Sequence, residues 1–303
     1  MQLENNEPVE SVLLDEISDN DEDIDKRVLF EVYHALMNEE LVLPSLPDVA
    51  IKIRDAASDD DVSVDGIARI IQADAGTAAY CIGVVNNAGM AGAAAVDNVH
   101  DAIVRMGIQS ARDVVVAYTV RNLFSGTDPM SKKLMHAAWK HSCRIAALSY
   151  ILARDVARLN PERALLAGLL HDIGVTILIN ELQKYPDVIA DVVIFNRIVQ
   201  ELSGQIGAMV LRAWDFPNAF PEAALEAELF DRPVDDRLQI ADVVMLAHLH
   251  DKSPAPWSLP TKSLTALPIH KKLDECDLTD DCLLAVVAEA EKELTELTSL
   301  LSN

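Results

Sequence analysis

Residues 161–174 read PERALLAGLLHDIG. Asn160 before them suits a helix N-cap and Pro161 the first helical position. The run is apolar nearly all round, the pattern of a helix central to a bundle. Its last turn sets His171 beside Asp172, where every neighbour asks for burial. Ala164, Ala167 and Gly168 are small and leave room above them, and Gly174 falls where the helix should stop.

Two further helices carry the same anomaly. Residues advance about 100° around a helix axis, so Leu134, Ala138, His141, Ile145, Leu148 and Leu152 share one face, interrupted by His141. Leu238, Asp242, Met245, Leu246 and Leu249 share another, interrupted by Asp242. An unpaired buried carboxylate is costly, so these groups are expected to meet one another or a common cation. The expected ligand set is His141, His171, Asp172 and Asp242. Two imidazoles and two carboxylates suit a single divalent transition metal (Zn, Mn or Fe) better than Ca. A metal-free His–Asp hydrogen-bonded cluster is the other outcome.

Composition points to the same architecture. Half of the 303 residues are apolar, Gly (11) and Pro (13) are scarce, and aromatics make up 5%. With neither a strand pattern nor a repeat, the fold class is all-α. The net charge of −24 disfavours nucleic acid and anionic lipid as partners. Residues 1–25 hold ten acids and no Lys or Arg, which leaves −14 for the rest. Cys81, Cys143, Cys276 and Cys282 form no C-x-x-C pair. With no signal-peptide pattern and no long apolar run, the expectation is a cytoplasmic protein with free thiols and no membrane span.

Four regions are expected. Residues 1–27 form an acidic, disordered tail and 28–125 an N-terminal helical subdomain. Residues 126–250 form a helical bundle, and 251–303 a Pro-rich connection with a C-terminal helix. Helices are expected at about 63–73, 75–87, 98–106 and from near Ser110, with Gly107 as a stop. Residues 86–99 read as a loop, with Asn86 and Asn87 satisfying its backbone. Ser131 is expected to cap a helix running to Arg158. Others are expected at 187–202, 204–214, 218–230 and 234–250, with His248 and His250 meeting free carbonyls at the last end. His136 points away from His141, and Trp139, Trp214 and Trp257 read as packing residues. From Thr279, Leu283, Val287, Ala290, Leu294, Leu297 and Leu301 form an a/d seam. It either packs on the body or makes a homodimer.

The order His141, His171-Asp172, Asp242 resembles the HD superfamily of metal-dependent phosphohydrolases. "LPSLPDVAIKI", "DVSVDGIARIIQADAGTAAYCIGVVNNA", "VHDAIVRMGIQSARDVVV", "WKHSCRIAALSYILA", "ERALLAGLLHDIGVTIL" and "GQIGAMVLRAWDFP" follow in the order of the landmarks of the HDOD domain, an HD-related output domain of bacterial signalling proteins. The resemblance spans about residues 40–250 and implies an HD-like helical bundle. Active relatives of the HD-GYP type follow the HD pair with Ile-Gly-Lys, whereas this chain has Val175. At the places of their further metal histidines stand Ser203 and the neighbourhood of Glu226-Ala227. In the N-terminal half, Asp74-Ala75 replaces Asp-Pro and Asn86-Asn87 replaces Asn-Ser.

The resemblance implies a signalling module acting on a protein partner, with no catalytic residue and at most one metal site. Its alternative is a phosphohydrolase in which His171 and Asp172 act through a metal-activated water. That enzyme needs substrate-facing cations. Arg144 and Lys140 are the nearest in sequence, and both read as solvated residues.

Overall fold

In the computed structural model, residues 23–302 are described apart from 39, 58–62, 87–94, 234–236, 253, 260–262 and 276–279. The acidic residues 1–22, Asn87 and Cys276 lie outside that set. All regular structure among the described residues is helical. In the first half α1 spans Asp23–Met37, α2 Asp48–Ala57, α3 Val64–Gln72, α4 Ala75–Val85, α5 Val99–Met106 and α6 Ile108–Val120. The second half holds α7 (Pro129–Leu152), α8 (Pro161–Leu170), α9 (Ile173–Leu182), α10 (Pro186–Ala190), α11 (Val192–Ala213), α12 (Ala219–Glu226) and α13 (Ile240–His250). The chain continues through α14 (Pro268–Glu275), α15 (Asp280–Glu289) and α16 (Glu291–Ser302).

Local chemistry sets many of the boundaries. Asn160 caps α8 by accepting from the Arg163 amide at 2.7 Å, with Pro161 at the first position. Gly107 separates α5 from α6 at φ +85°, a conformation that favours glycine, and α6 begins at once with Ile108. Asn86 spans the base of its loop, donating to the Val96 carbonyl at 2.6 Å and accepting from its amide at 2.8 Å.

Four boundaries differ from expectation. Asp128, not Ser131, caps α7; Ser131 is the third residue of a capping box. The helix then ends in a π-helical turn, Ala153–Ala157. The break expected near residue 203 is absent, because α11 runs unbroken through it. The C-terminal seam is divided between α15 and α16. Leu283, Val287, Ala290, Leu297 and Leu301 are buried, and both helices pack on α7 of the same chain.

Gly174 differs for a different reason. It lies inside α9, the helix having already turned at His171-Asp172. A Cβ at Gly174 would sit 2.0 Å from the Ser203 carbonyl oxygen and 2.7 Å from the Gly207 amide nitrogen. The glycine therefore lets α9 lie directly on α11. Gly168 does the same for α8 on α7, since a Cβ there would meet the Ala146 Cα and Ile145 carbonyl at 2.9 Å. The room that small residues leave in α8 is filled by the α7 backbone.

One apolar core runs from Val28 in α1 to Leu301 in α16. The most extensive helix pair is α7 with α8, and α13 packs on both. Pro161–Leu182 is long and apolar enough to cross a membrane, yet 89% of its most apolar window is buried inside the protein. That is the behaviour of a core segment.

Gly174→Ala should lower stability by about 3 kcal/mol, because the overpacked contact is backbone on backbone. Urea denaturation checks this; an unchanged midpoint would contradict the close approach of α9 to α11.

Candidate metal centre

The junction of α7, α8 and α13 collects three imidazoles. His141 comes from mid-α7, His171 from the end of α8 and His248 from the last turn of α13, and all three are buried. Their ring centroids lie 4.7–5.3 Å apart. One potential ligand atom from each lies within 4.8 Å of the other two.

The ring nitrogens divide into two sets. His171 Nδ1 donates to the Gly168 carbonyl at 2.7 Å, which leaves Nε2 as the unprotonated nitrogen. His248 Nδ1 faces Glu228 Oε1 at 3.5 Å, and His141 Nδ1 faces Asp251 Oδ2 at 3.6 Å. Nε2 of all three rings is buried without a hydrogen-bond partner. Asp172 lies beside two of them, with Oδ1 3.4 Å from His171 Nε2 and Oδ2 3.8 Å from His141 Nε2.

Burial controls the protonation states. Desolvation holds His171 below the usual histidine range, opposed by Asp172 and reinforced by His141. Desolvation, then His171 and His141, hold His248 well below it. Burial first, then the Asp172 charge, push the Glu228 carboxyl up to about 7. Buried imidazoles with orphaned, converging nitrogens and acceptors behind them are the arrangement that metal-ligating histidines show. His141, His171 and His248 can therefore form a metal site, and the donor set fits a divalent transition ion.

The structure brings together His141, His171 and Asp172 from the expected set. Asp242 does not join them. It is fully buried, as its place on an apolar stripe implied, but at the opposite end of α13. There it accepts from Arg232 Nη2 at 2.5 Å and from the Gln239 amide at 2.7 Å. Lys272 Nζ, itself held by the Arg237 carbonyl, lies 3.4 Å away. A buried acid seeks the nearest buried cation, and here Arg232 and Lys272 supply it.

His248 and Asp251 stand where Asp242 was expected. Only His250, of the two histidines at the end of α13, meets a helix carbonyl, through Nδ1 and Leu246 O at 2.8 Å. His248 lies six residues beyond Asp242, so no single-face pattern links them. His248 does share a face with Ala241, Val244 and Met245, seven, four and three residues before it, and that apolar stripe was the signal for its burial. Trp257 was also read as simple packing. It is buried against Phe195, and its Nε1 donates to Asp172 Oδ2 at 3.0 Å. Ser203 lies against Gly174, and Glu226 pairs with Arg232 at 3.2 Å.

Asp242→Ala should cost about 3 kcal/mol by removing the buried carboxylate that Arg232 and Lys272 share, while metal content stays at the wild-type level. Loss of metal in this variant would contradict the separation of the two clusters. The metal-free protein should also lose stability on acidification. Below 6.5, the ordinary histidine value, the unfolded chain takes up protons that folded His171 and His248 refuse. Glu228 acts oppositely between 4.5 and about 7, where the folded carboxyl keeps a proton that the unfolded one releases. Two histidines against one carboxyl make the net effect a loss of stability on acidification within that shared window. Thermal melts of chelator-treated protein between pH 7 and 5 measure it, and His248→Gln should flatten the slope.

Comparison with known proteins agrees with this architecture. The chain matches the HDOD domain over residues 43–229. No curated protein matches it. A provisionally assigned metal-dependent phosphohydrolase from Shewanella amazonensis SB2B superposes with a TM-score of 0.74 at 22% identity, covering 91% of this chain and 99% of its own. An HDOD domain protein of unknown function from Geobacter sulfurreducens gives 0.63 at 20% identity, over 90% of this chain and 98% of its own. A provisionally assigned signal transduction protein from Marinobacter aquaeolei VT8 gives 0.57 at 17%, over 94% and 67%. At these identities the likeness is one of fold. The matched domain covers most of the chain, from the Pro-rich entry to α2 through the HD pair and on past α12, and the protein belongs to the HDOD domain family.

Proposed function

We propose that this chain is a non-catalytic HDOD signalling module that acts on a protein partner, with one divalent metal cross-linking α7, α8 and α13 through His141, His171 and His248. The observation that carries the reading is the chamber itself: three orphaned Nε2 atoms in a buried space with no free cation facing them among the described residues. A divalent ion there supplies Lewis acidity and a tie between three helices.

Phosphoryl chemistry asks for more than an ion. It needs access for an anionic substrate and positive groups facing it. Arg144, the nearest cation in sequence, is bound to Asp251 at 2.9 and 2.6 Å through Nε and Nη2. Lys140 is solvent-exposed. Val175 is fully buried, so the position that carries a lysine in active relatives of the HD-GYP type offers neither charge nor exposure. The strongly negative chain would attract a basic partner surface, and that attraction would weaken with salt. The C-terminal helices α15 and α16 pack on α7 of the same chain.

Protein purified without chelator should carry about one transition-metal ion per chain. His248→Ala should reduce this to less than about a tenth. Elemental analysis by mass spectrometry checks both, and metal retained in the variant would remove His248 from the centre. Phosphomonoester and phosphodiester substrates should not turn over. Hydrolysis that is lost in His171→Ala would overturn the non-catalytic reading in favour of a metal-dependent phosphohydrolase.

A further inference from the structure

The wall of the histidine chamber is not all helix. Beyond α13 the chain leaves regular structure, and residues 254–259 (Pro-Ala-Pro-Trp-Ser-Leu) lie along α11 as a strap. Trp257 is the only large side chain of the strap that is fully buried. Its indole N–H is bound to Asp172 Oδ2, the oxygen that also lies 3.8 Å from His141 Nε2. Asp172 therefore joins the strap to the edge of the centre, with its other oxygen 3.4 Å from His171 Nε2.

The strap is held mainly from outside. Pro254 and Pro256 have no amide hydrogen, so this stretch is anchored chiefly through its carbonyls. Asn196 Nδ2 donates to the Pro256 carbonyl at 2.8 Å and Gln200 Nε2 to the Trp257 carbonyl at 2.8 Å. Both come from one side of α11, a single turn apart, at or near the surface. Beyond Trp257, the Leu259 amide donates to Glu228 Oε2 at 3.3 Å, and Glu228 is the acceptor behind His248. The Asp251 carboxylate, where the segment begins, stands behind His141. The strap thus touches the surroundings of His141, Asp172 and His248 at once. It lies past the residues that match the HDOD domain.

We propose that the strap is an autoinhibitory plug: Trp257 closes the histidine chamber on its Asp172 side, and Asn196 and Gln200 form the latch that a partner at the α11 surface would release. The proposal rests on the chamber being the functional centre. It separates two states of one module: closed, with the indole bound to Asp172 beside the imidazoles, and open, with the indole withdrawn and the imidazoles accessible.

The test follows acylation of individual histidines by diethyl pyrocarbonate, read by peptide mass spectrometry in full-length, chelator-treated protein. This readout needs no metal, so a failed metal assay leaves it standing. Wild-type protein is compared with Asn196→Ala/Gln200→Ala and with Trp257→Ala, neither of which alters a histidine or Asp172. The exposed His136 reports reagent activity, and the buried Cys143 thiol, probed with iodoacetamide, reports global opening. The expected result is acylation of His171 and His248 about tenfold faster in both variants, because lost latch bonds raise the open population. His136 should keep its rate and Cys143 should stay inert. Equal histidine rates in all three proteins would overturn the plug. Acceleration in Trp257→Ala alone would overturn the latch, and acceleration matched at Cys143 would show unfolding of the bundle in place of strap release.

Discussion

Three buried imidazoles facing one another inside an apolar junction are the constraint on which this structure depends. Charging any of them would place a cation among buried aliphatic groups and beside two other rings, and burial opposes it at His171 and His248. The protein answers by placing an acceptor behind each ring: a backbone carbonyl for His171, Glu228 for His248 and Asp251 for His141. What remains is a set of inward nitrogens with nothing to bind. Buried polar atoms normally find partners, so a concentration of orphans at one point marks a place built for something else. The surrounding core is continuous from α1 to α16, and its packing offsets that cost.

The close approach of the helices makes the junction possible. His171 lies at the end of α8, three residues from Gly168 and three from Gly174, and each glycine permits backbone contact with a neighbouring helix. Gly168 draws α8 onto α7, and so brings His171 toward His141. Gly174 draws α9 onto α11, and so brings α11, with Asn196 and Gln200, within reach of the strap. The turn at His171-Asp172 between these two contacts has little freedom. Ordering costs that a loop would impose on a binding site are therefore met by packing that the fold needs in any case.

Much of this was legible in the sequence, and the misses have physical causes. The all-α class, the cap at Asn160, the stop at Gly107 and the burial of His141, His171 and Asp172 followed from periodicity and capping, which are local. Asp242 shows the limit of that argument. A polar residue on an apolar stripe is predictably buried, but the stripe does not name its partner. Arg232 precedes α13 and Lys272 lies on α14, so their meeting with Asp242 is tertiary. His248 failed in the opposite direction, because a histidine in a last helical turn has an ordinary local explanation, which His250 does satisfy. Gly174 was read by the C-cap rule, whereas helix–helix contact at Ser203 required it. Trp257 had no local signature at all, being a buried aromatic in a proline-rich connection.

The strap connects the chemistry of the centre to its regulation by a simple asymmetry. Helices α7, α8 and α13 carry the imidazoles on elements whose backbone groups bond internally, so they move only with the bundle. Residues 254–259 have no such ladder, and the hydrogen bonds that hold them come from amide side chains on α11, from Glu228 and from Asp172. Local opening free energies are lowest where backbone bonds are few and lie at the surface. A binding event at α11 can therefore displace the strap at far less cost than it could move a histidine.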